Sequence, residues 1–384
     1  MKKTTGRFAL ALASILLFSS CAGTSPVSVT SSASTTDTVL VRDGKLTDEG
    51  ELVRDRGLEL YQLHRDADVY ATWLPLAEQG HGESMFNLGS LLREGTGIAA
   101  DLREAHEWTR KAALAGYPSA YCRLGADYDA GELFAKNAQE ALRLWRKGAT
   151  LGESDCALYA GQYLVFGMGV PRDAKAGIAF LEQAAKAERA DLRAQAILGR
   201  IYLDGDPVAQ DYVKARYWLE LAAAQESDEA QHNLALIHDN GYGVPVDKAK
   251  AISLYQRAAR QKNSSSLNNL GYAYRHGEGV SKDLALAASY FEQSHALGNF
   301  DGTINLADML FKGWGQPADP AKAVALYKAA ADAGIAVAQC RYARALRHGD
   351  GVTRNVAEAE RQQAKARAAG SKENCEGRLA DFLR

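Results

Sequence analysis

The sequence predicts an all-α solenoid of about eight helix-loop-helix repeats, 36 residues each, closed by half-repeat caps. Three observations carry that prediction. A loop glycine recurs as Gly95, Gly131, Gly167, Gly205, Gly241, Gly277, Gly313 and Gly349, at spacings of 36, 36, 38, 36, 36, 36 and 36. A steady period of this size marks stacked supersecondary units. Small and apolar residues before and after each glycine recur in steps of four, which keeps them on one helical face. The chain is rich in Ala and holds only 8 Pro in 384 residues, which favours closely packed helices.

Length alone would suggest two or three domains, but one solenoid can run this long. The composition is 47% apolar and 24% charged, ordinary for a globular chain. Lys and Arg number 45 against 47 Asp and Glu, for a net charge of −2. That balance gives no reason to expect nucleic acid as a general ligand.

The first segment reads as an address. Lys2, Lys3 and Arg7 precede an apolar run over residues 8–18, too short to span a bilayer as a mature helix. Ser19 and Ser20 then precede Cys21. Residues 1–20 resemble a bacterial lipoprotein signal, with Cys21 as the lipid-bearing mature N-terminus. Phe18 departs from the Leu that such signals prefer, and the plain alternative is an ordinary cleaved signal. Ala22 stands where an inner-membrane retention signal would carry Asp. The resemblance therefore implies export and an outer-membrane anchor facing the periplasm. Residues 21–46 are expected as a lipidated tether, since the Ser, Thr and Val of its first part lack helical periodicity.

Capping helices are expected over residues 47–81. The first offers Leu52, Leu58, Leu60 and Leu63, and the second carries Tyr70, Trp73 and Leu74 before a stop at Gly80. Eight full repeats follow over 82–371. Each first helix holds a small residue, then Leu and Gly or Ala, then an aromatic or aliphatic residue. Ser84, Leu88, Gly89 and Leu92 do so in the first repeat, and Ser266, Leu270, Gly271 and Tyr274 in the sixth. A mid-helix Gly costs about 0.5–1 kcal/mol against Ala, so its recurrence points to a close approach. Gly-x-Gly loops such as Gly277/Gly279 should turn the chain back with positive φ. They lack the Lys-Ser/Thr follower and the preceding strand of a phosphate loop.

Six residues after the loop glycine stand Asp101, Asp173, Asp211, Asp247, Asp283 and Asp319. A carboxylate there suits the start of the second helix. Trp108 and Trp218 on the second helices read as core wedges rather than a ligand box. In the fourth unit, Asp206-Pro207 replaces the second glycine, and a local bend is expected. Gln362 and Gln363 give the eighth unit a polar face suited to a terminal repeat. The tail, 372–384, places Leu379 36 residues after Ala343. With Phe382 and Leu383 it should close the core as a capping helix.

The pattern small-x₃-Leu-Gly-x₂-Tyr, Gly-x-Gly-Val, Asp, Ala-x₂-Trp/Tyr, Ala-Ala resembles the Sel1-like repeat family, relatives of tetratricopeptide repeats. The resemblance covers roughly 48–384. It implies right-handed superhelices and adaptor work, with proteins or peptides held in a concave groove lined by the first helices. Some bacterial members resemble scaffolds for exopolysaccharide secretion or host contact, and certain cysteine-rich members carry a β-lactamase label.

Asn87, Asn233, Asn269 and Asn305 recur one residue before the Leu position, which faces the groove by that resemblance. An asparagine ladder could hydrogen-bond an extended peptide through both donor and acceptor. The plain alternative is that the amides bond neighbouring helices or face water. Arg123 and Arg341 hold the same place in other units and could meet carboxylates. Apart from Cys21, the cysteines are Cys122, Cys156, Cys340 and Cys375. Four allow three connectivities, and the spacings favour Cys122–Cys156 and Cys340–Cys375 over the others, with buried free thiols as the alternative. No Cys-x₂-Cys or Cys/His cluster suggests zinc, and no cofactor is expected. No Ser-x₂-Lys signature supports a serine β-lactamase. The reading is a non-enzymatic scaffold for envelope proteins or peptides. A polysaccharide or peptidoglycan binder, with Tyr121, Tyr159 and Tyr272 as its aromatics, is the runner-up.

Overall fold

The structure is a computed structural model that describes residues 38–383 apart from 97, 188 and 189, and not the side chains of 380 and 382. Cys21, the signal over 1–20, most of the tether, Gly97 and the Phe382 side chain lie outside the described residues. Leu40 onward is one compact unit; of the unit that precedes it, only Thr38 and Val39 are described.

Residues 40–46, expected in the tether, are folded. Strands β1 (Val41–Arg42) and β2 (Lys45–Leu46) pair antiparallel around Asp43 and Gly44. Leu40 and Val41 are buried, and both of their amides donate to Gln79 Oε1, at 2.7 and 3.1 Å. Helix α1 (Asp48–Gln62) and helix α2 (Asp66–Glu78) follow. The leucines expected to anchor α1 mostly do not. Leu52, Leu58 and Leu63 are exposed, and Leu60 alone of the four is buried. The face of α1 that meets α2 is made by Gly57, where an added Cβ would collide with the Trp73 indole. A large ring on α2 has taken the volume that leucines on α1 would otherwise fill.

Eight helix pairs come next. The first helices are α3 (Gly82–Glu94), α5 (Pro118–Ala130), α7 (Ser154–Phe166), α9 (Leu192–Asp204), α11 (Asp228–Asn240), α13 (Ser264–His276), α15 (Phe300–Lys312) and α17 (Ala336–His348). The second helices are α4 (Leu102–Leu114), α6 (Ala138–Thr150), α8 (Ala174–Lys186), α10 (Tyr212–Ala224), α12 (Lys248–Arg260), α14 (Leu284–Ala296), α16 (Pro320–Asp332) and α18 (Val356–Ala368). A last helix, α19 (Leu379–Phe382), ends the chain. From α1 to α18 each helix packs on its neighbours in sequence, the arrangement of an α/α solenoid, and α19 packs on α17.

Local chemistry explains each turn. The loop glycine caps every first helix in the left-handed region, with φ from +66° to +78° across the eight units. A side chain there would be strained. The second helices start on carboxylates: Asp101 Oδ1 accepts from the amides of Arg103 and Glu104 at 2.9 Å, and Asp247 and Asp283 do the same for Lys250 and Leu286. Asn137 and Asn355 fill this place in the second and eighth repeats. The mid-helix glycines admit close neighbours. A Cβ on Gly271 would stand 2.6 Å from the Phe291 ring, and one on Gly125 would strike the Trp145 indole. Trp108, Trp145 and Trp218 are buried wedges. The Asp206-Pro207 peptide in the fourth loop is cis.

The carboxy-terminal end differs from expectation in two ways. The polar face of α18 is covered, with Gln362 and Gln363 both buried. Arg347 donates to Gln363 Oε1 at 2.8 Å, and Gln363 Nε2 reaches Glu376 Oε1 at 3.4 Å. Gln363 thus meets the tail, while Gln362 Nε2 donates to Glu358 Oε1 at 2.8 Å within α18. The tail itself is largely irregular before its four-residue helix, yet Leu379 and Leu383 are buried and close the core.

Candidate interaction groove

The first helices form the tighter layer. α5 touches α7, α9 touches α11 and α13 touches α15 across repeat boundaries, while no pair of second helices is joined to that extent. Repeats that crowd on one side and spread on the other curve, so the first helices line the inner side.

One stripe faces outward from the core on that side in α3, α5, α7 and α13, while in α9, α11, α15 and α17 the same register includes the buried Ile197, Asn233, Asp308 and Arg341. In α13 it runs Ser265, Asn269, Tyr272 and His276, all exposed or half-buried between the buried Ser266, Leu270 and Ala273. The same register holds Glu83, Asn87, Ser90 and Glu94 in α3, and Ser119, Arg123, Ala126 and Ala130 in α5. Asn87, Arg123, Asn233, Asn269, Asn305 and Arg341 thus share one position in their repeats, the second turn of the stripe.

The surroundings of the six residues differ. Asn87 is half-buried and Arg123 exposed. Asn233 keeps only 8% of its surface exposed. The Asn269 amide hydrogen-bonds the Tyr255 hydroxyl, whose pKa is pushed up by burial and by the Asp239 carboxylate. Asn305 Nδ2 donates to Asn268 Oδ1 at 2.9 Å, linking α15 to α13. Asn268, which precedes Asn269 in an Asn-Asn pair, went unnoticed in the sequence.

Arg341 is buried at the seam between α15 and α17. Its Nε lies 3.5 Å from Asp308 Oδ1, and Nη1 lies 3.9 Å from Glu373 Oε2. Tyr327 donates to Asp308 Oδ1 at 2.5 Å. Burial raises the Asp308 pKa, against the pull of Arg341 and the tyrosine hydrogen bond. Asp308 and Tyr327 were missed by sequence reasoning. The available signal was an acid at the third turn of the stripe, where α7 carries Gln162 and α13 carries Tyr272.

The candidate glycan-stacking tyrosines are not equivalent. Tyr121 donates to the Ala113 carbonyl at 2.8 Å, and the Tyr159 ring packs 5.3 Å from Trp145. Tyr272 is 47% exposed, its ring 4.3 Å from His276. Tyr272 is thus the exposed one of the three, and Tyr121 and Tyr159 are half-buried.

The paired cysteines lie deep. The sulfurs of Cys122 on α5 and Cys156 on α7 are 2.08 Å apart, with Cα atoms at 5.0 Å. Those of Cys340 on α17 and Cys375 are 2.18 Å apart, again with Cα atoms at 5.0 Å. Cys375 sits in the irregular tail rather than on a first helix. The nearest thing to a catalytic pair, His106 Nδ1 at 3.1 Å from Asp127 Oδ2, is buried under the Phe134 ring and shares its carboxylate with Arg93. Among the described residues no cluster of three or more His, Cys, Asp or Glu could hold a metal ion, and no helix is long and apolar enough to cross a membrane.

These features define a class: a helical-repeat protein whose inner stripe presents polar side chains on a rigid, cross-packed frame. The chain belongs to the Sel1 repeat family, which it matches over 82–117, 118–153, 154–188, 192–227, 228–263, 264–299, 301–335 and 336–361. It is similar to the crystal structure of c5321, a protective antigen present in uropathogenic Escherichia coli strains. That likeness has 26% identity and a TM-score of 0.69 over 83% of this chain and 71% of the other. A Sel1 repeat protein from Oxalobacter formigenes matches with 29% identity and a TM-score of 0.60, over 77% of this chain and 90% of that one. Among curated proteins, chitin synthase regulatory factor 4 of Schizosaccharomyces pombe is 27% identical over 208 residues, 52% of this chain. The match spans 31% of that relative's length. Sel1 repeat proteins generally mediate protein–protein interaction and are typically non-catalytic.

Proposed function

We propose that this chain is a non-enzymatic scaffold of the bacterial cell envelope, exported and lipid-anchored through Cys21 to the outer membrane. It holds partner proteins or peptides along the inner stripe of its first helices. Its cysteine pairs Cys122–Cys156 and Cys340–Cys375 are oxidised in that compartment. The observation that carries the reading is the stripe itself: Asn233, Asn269 and Asn305 stand at one register position on three successive first helices. An extended peptide laid across the half-buried Asn269 and Asn305 would use the amide capacity left beside their bonds to Tyr255 and Asn268, with the buried Asn233 supporting the row from beneath.

Two experiments test it. Replacing Asn233, Asn269 and Asn305 with Ala should weaken partner capture by about tenfold, with helicity unchanged; undiminished capture removes the ladder. Labelled palmitate should enter the wild-type chain and not the Cys21→Ala variant. Equal labelling of both would remove the anchor.

A further inference from the structure

We propose that the outer face of the second and third repeats carries a separate docking site: a cationic cleft between α4, α6 and the start of α8 that takes an acidic, leucine-bearing segment of a partner protein. The cleft exists because the second helices spread while the first helices crowd. Between α4 and α6 it encloses about 570 Å³, lined by Arg110, Leu114, Tyr121, Arg143, Arg146 and Lys147 among others. It continues toward α8 as a second hollow of about 830 Å³, whose lining includes Arg143, Arg146, Leu164, Val170 and Arg172. Arg143 and Arg146 line both hollows, so the two form one run across three helices.

The charge in this run is out of balance. Arg110 is paired with Glu107 at 2.8 Å, Arg143 with Glu140 at 2.6 Å and Arg172 with Asp206 at 2.9 Å. Arg146 and Lys147 are exposed and make no ion pair among the described residues. With Asp173 as the one acid lining the hollows, Arg146 and Lys147 stand unpaired beside three guanidinium groups, at the rim of an apolar floor. Leu124, Leu144 and Leu164 are buried beneath it, while Leu114 is 75% exposed at its edge. Among the other outer helices, α14 has no Lys or Arg; α12 ties Lys248 to Asp239 and Glu278 and Arg257 to Glu226, and its exposed Lys250 and Arg260 line neither hollow.

Such a surface selects its occupant by complementarity. Guanidinium groups favour carboxylates, which they can grip with two parallel hydrogen bonds. A uniformly charged ligand would leave the leucines unused, and an uncharged one would leave Arg146 and Lys147 unmet. Helices packed in contact lie about 8–10 Å apart and these second helices spread, so the run across three helices spans at least roughly 20 Å. That is the reach of about six residues of extended chain. Side chains alternate along such a segment, so carboxylates can meet the rim while apolar groups enter the hollows. The site lies on the opposite layer from the inner stripe and does not depend on it.

The test is fluorescence polarisation on the full chain with a labelled hexapeptide of alternating Glu and Leu. Saturable binding is expected, weakened about tenfold or more by Arg146→Glu with Lys147→Glu, since two exposed attractions become repulsions. Leu114→Ser should weaken it further, and the peptide with Gln in place of Glu should bind far less. The Asn233, Asn269 and Asn305 alanine variant should bind the acidic peptide as wild type does, which separates this site from the inner stripe. Absence of saturable binding, or binding indifferent to Arg146 and Lys147, would overturn the proposal. So would phosphatidylglycerol vesicles capturing the chain through those two residues while the peptide fails, because the patch would then serve a lipid surface.

Discussion

Gly148 on α6 leaves open the space that the Cys156 sulfur fills: a Cβ at residue 148 would fall inside that sulfur. In other repeats the equivalent positions are occupied by alanine, as at Ala112 facing Ala120 and Ala222 facing Ala230, all buried. At the Cys156 seam the larger partner stands against a glycine. Ser294 faces Gly302 by the same rule, since a Cβ on Gly302 would strike the Ser294 side chain. Interiors packed at crystal density enforce this trade.

Gly148→Ala should therefore destabilise the chain by about 1–3 kcal/mol, the range for overpacking a filled core. In a Cys122→Ala/Cys156→Ala background the same substitution should be neutral or stabilising, because the sulfur is gone and Ala is the better helix former. Urea denaturation of the four proteins closes the cycle. Simple additivity would show that the residues do not compete for space.

His232 links stability to pH. Its Nδ1 lies 2.9 Å from Ser266 Oγ, and burial lowers its pKa to about 4, with Asp228 pulling weakly the other way. In the unfolded chain the ring titrates near 6.5. Between those values the unfolded state binds more protons, so His232 subtracts stability as pH falls from about 6.5 toward about 4. The full effect is roughly 3 kcal/mol. His232→Gln should flatten that part of the profile in denaturation midpoints at pH 7 and pH 4.5. Parallel profiles for the two proteins would refute the assignment.

The Asp308 cluster should show a ranked response. Tyr327→Phe removes one hydrogen bond from a buried carboxyl and should cost about 1–3 kcal/mol. Asp308→Leu should cost more, about 3–5 kcal/mol, because it leaves the buried Arg341 without its nearest carboxylate. Thermal unfolding of both variants checks the order; a reversed order would mean that Glu373 alone suffices for Arg341.

The helix starts predict a further pair of effects. Asp101→Ala should lower stability by about 0.5–2 kcal/mol, the range for losing a side-chain cap. Asp101→Asn should be nearly silent, because Asn137 and Asn355 already perform this task in other repeats. An equal loss for both substitutions would assign the effect to the carboxylate charge rather than to the cap.

Much of the fold was legible because its signals are local. A loop glycine with positive φ, a carboxylate at a helix start and a four-residue apolar step each act within one or two turns of their own residue. The site was legible only as a register. The sequence put Asn305 and Asn269 in line, but not the bond from Asn305 to Asn268. It identified Arg341 as a candidate for carboxylates without revealing that Asp308 and Glu373 enclose it. The leucines of α1 misled because helical spacing shows which residues share a face, and not which face a tryptophan on the next helix has claimed.

By itself the sequence determined the repeat length, the helix boundaries and the small residues at the seams, since these follow from backbone sterics and periodicity within one unit. Only the tertiary structure decided what lies between units: the folded hairpin at 40–46, the tail against Gln363, the matched volumes of Gly148 and Cys156, and the cationic cleft beside α6. Those features depend on how tightly consecutive repeats close on the inner side and how far they spread on the outer one. That angle is the sum of many side-chain contacts across repeats, and no single period in the chain records it.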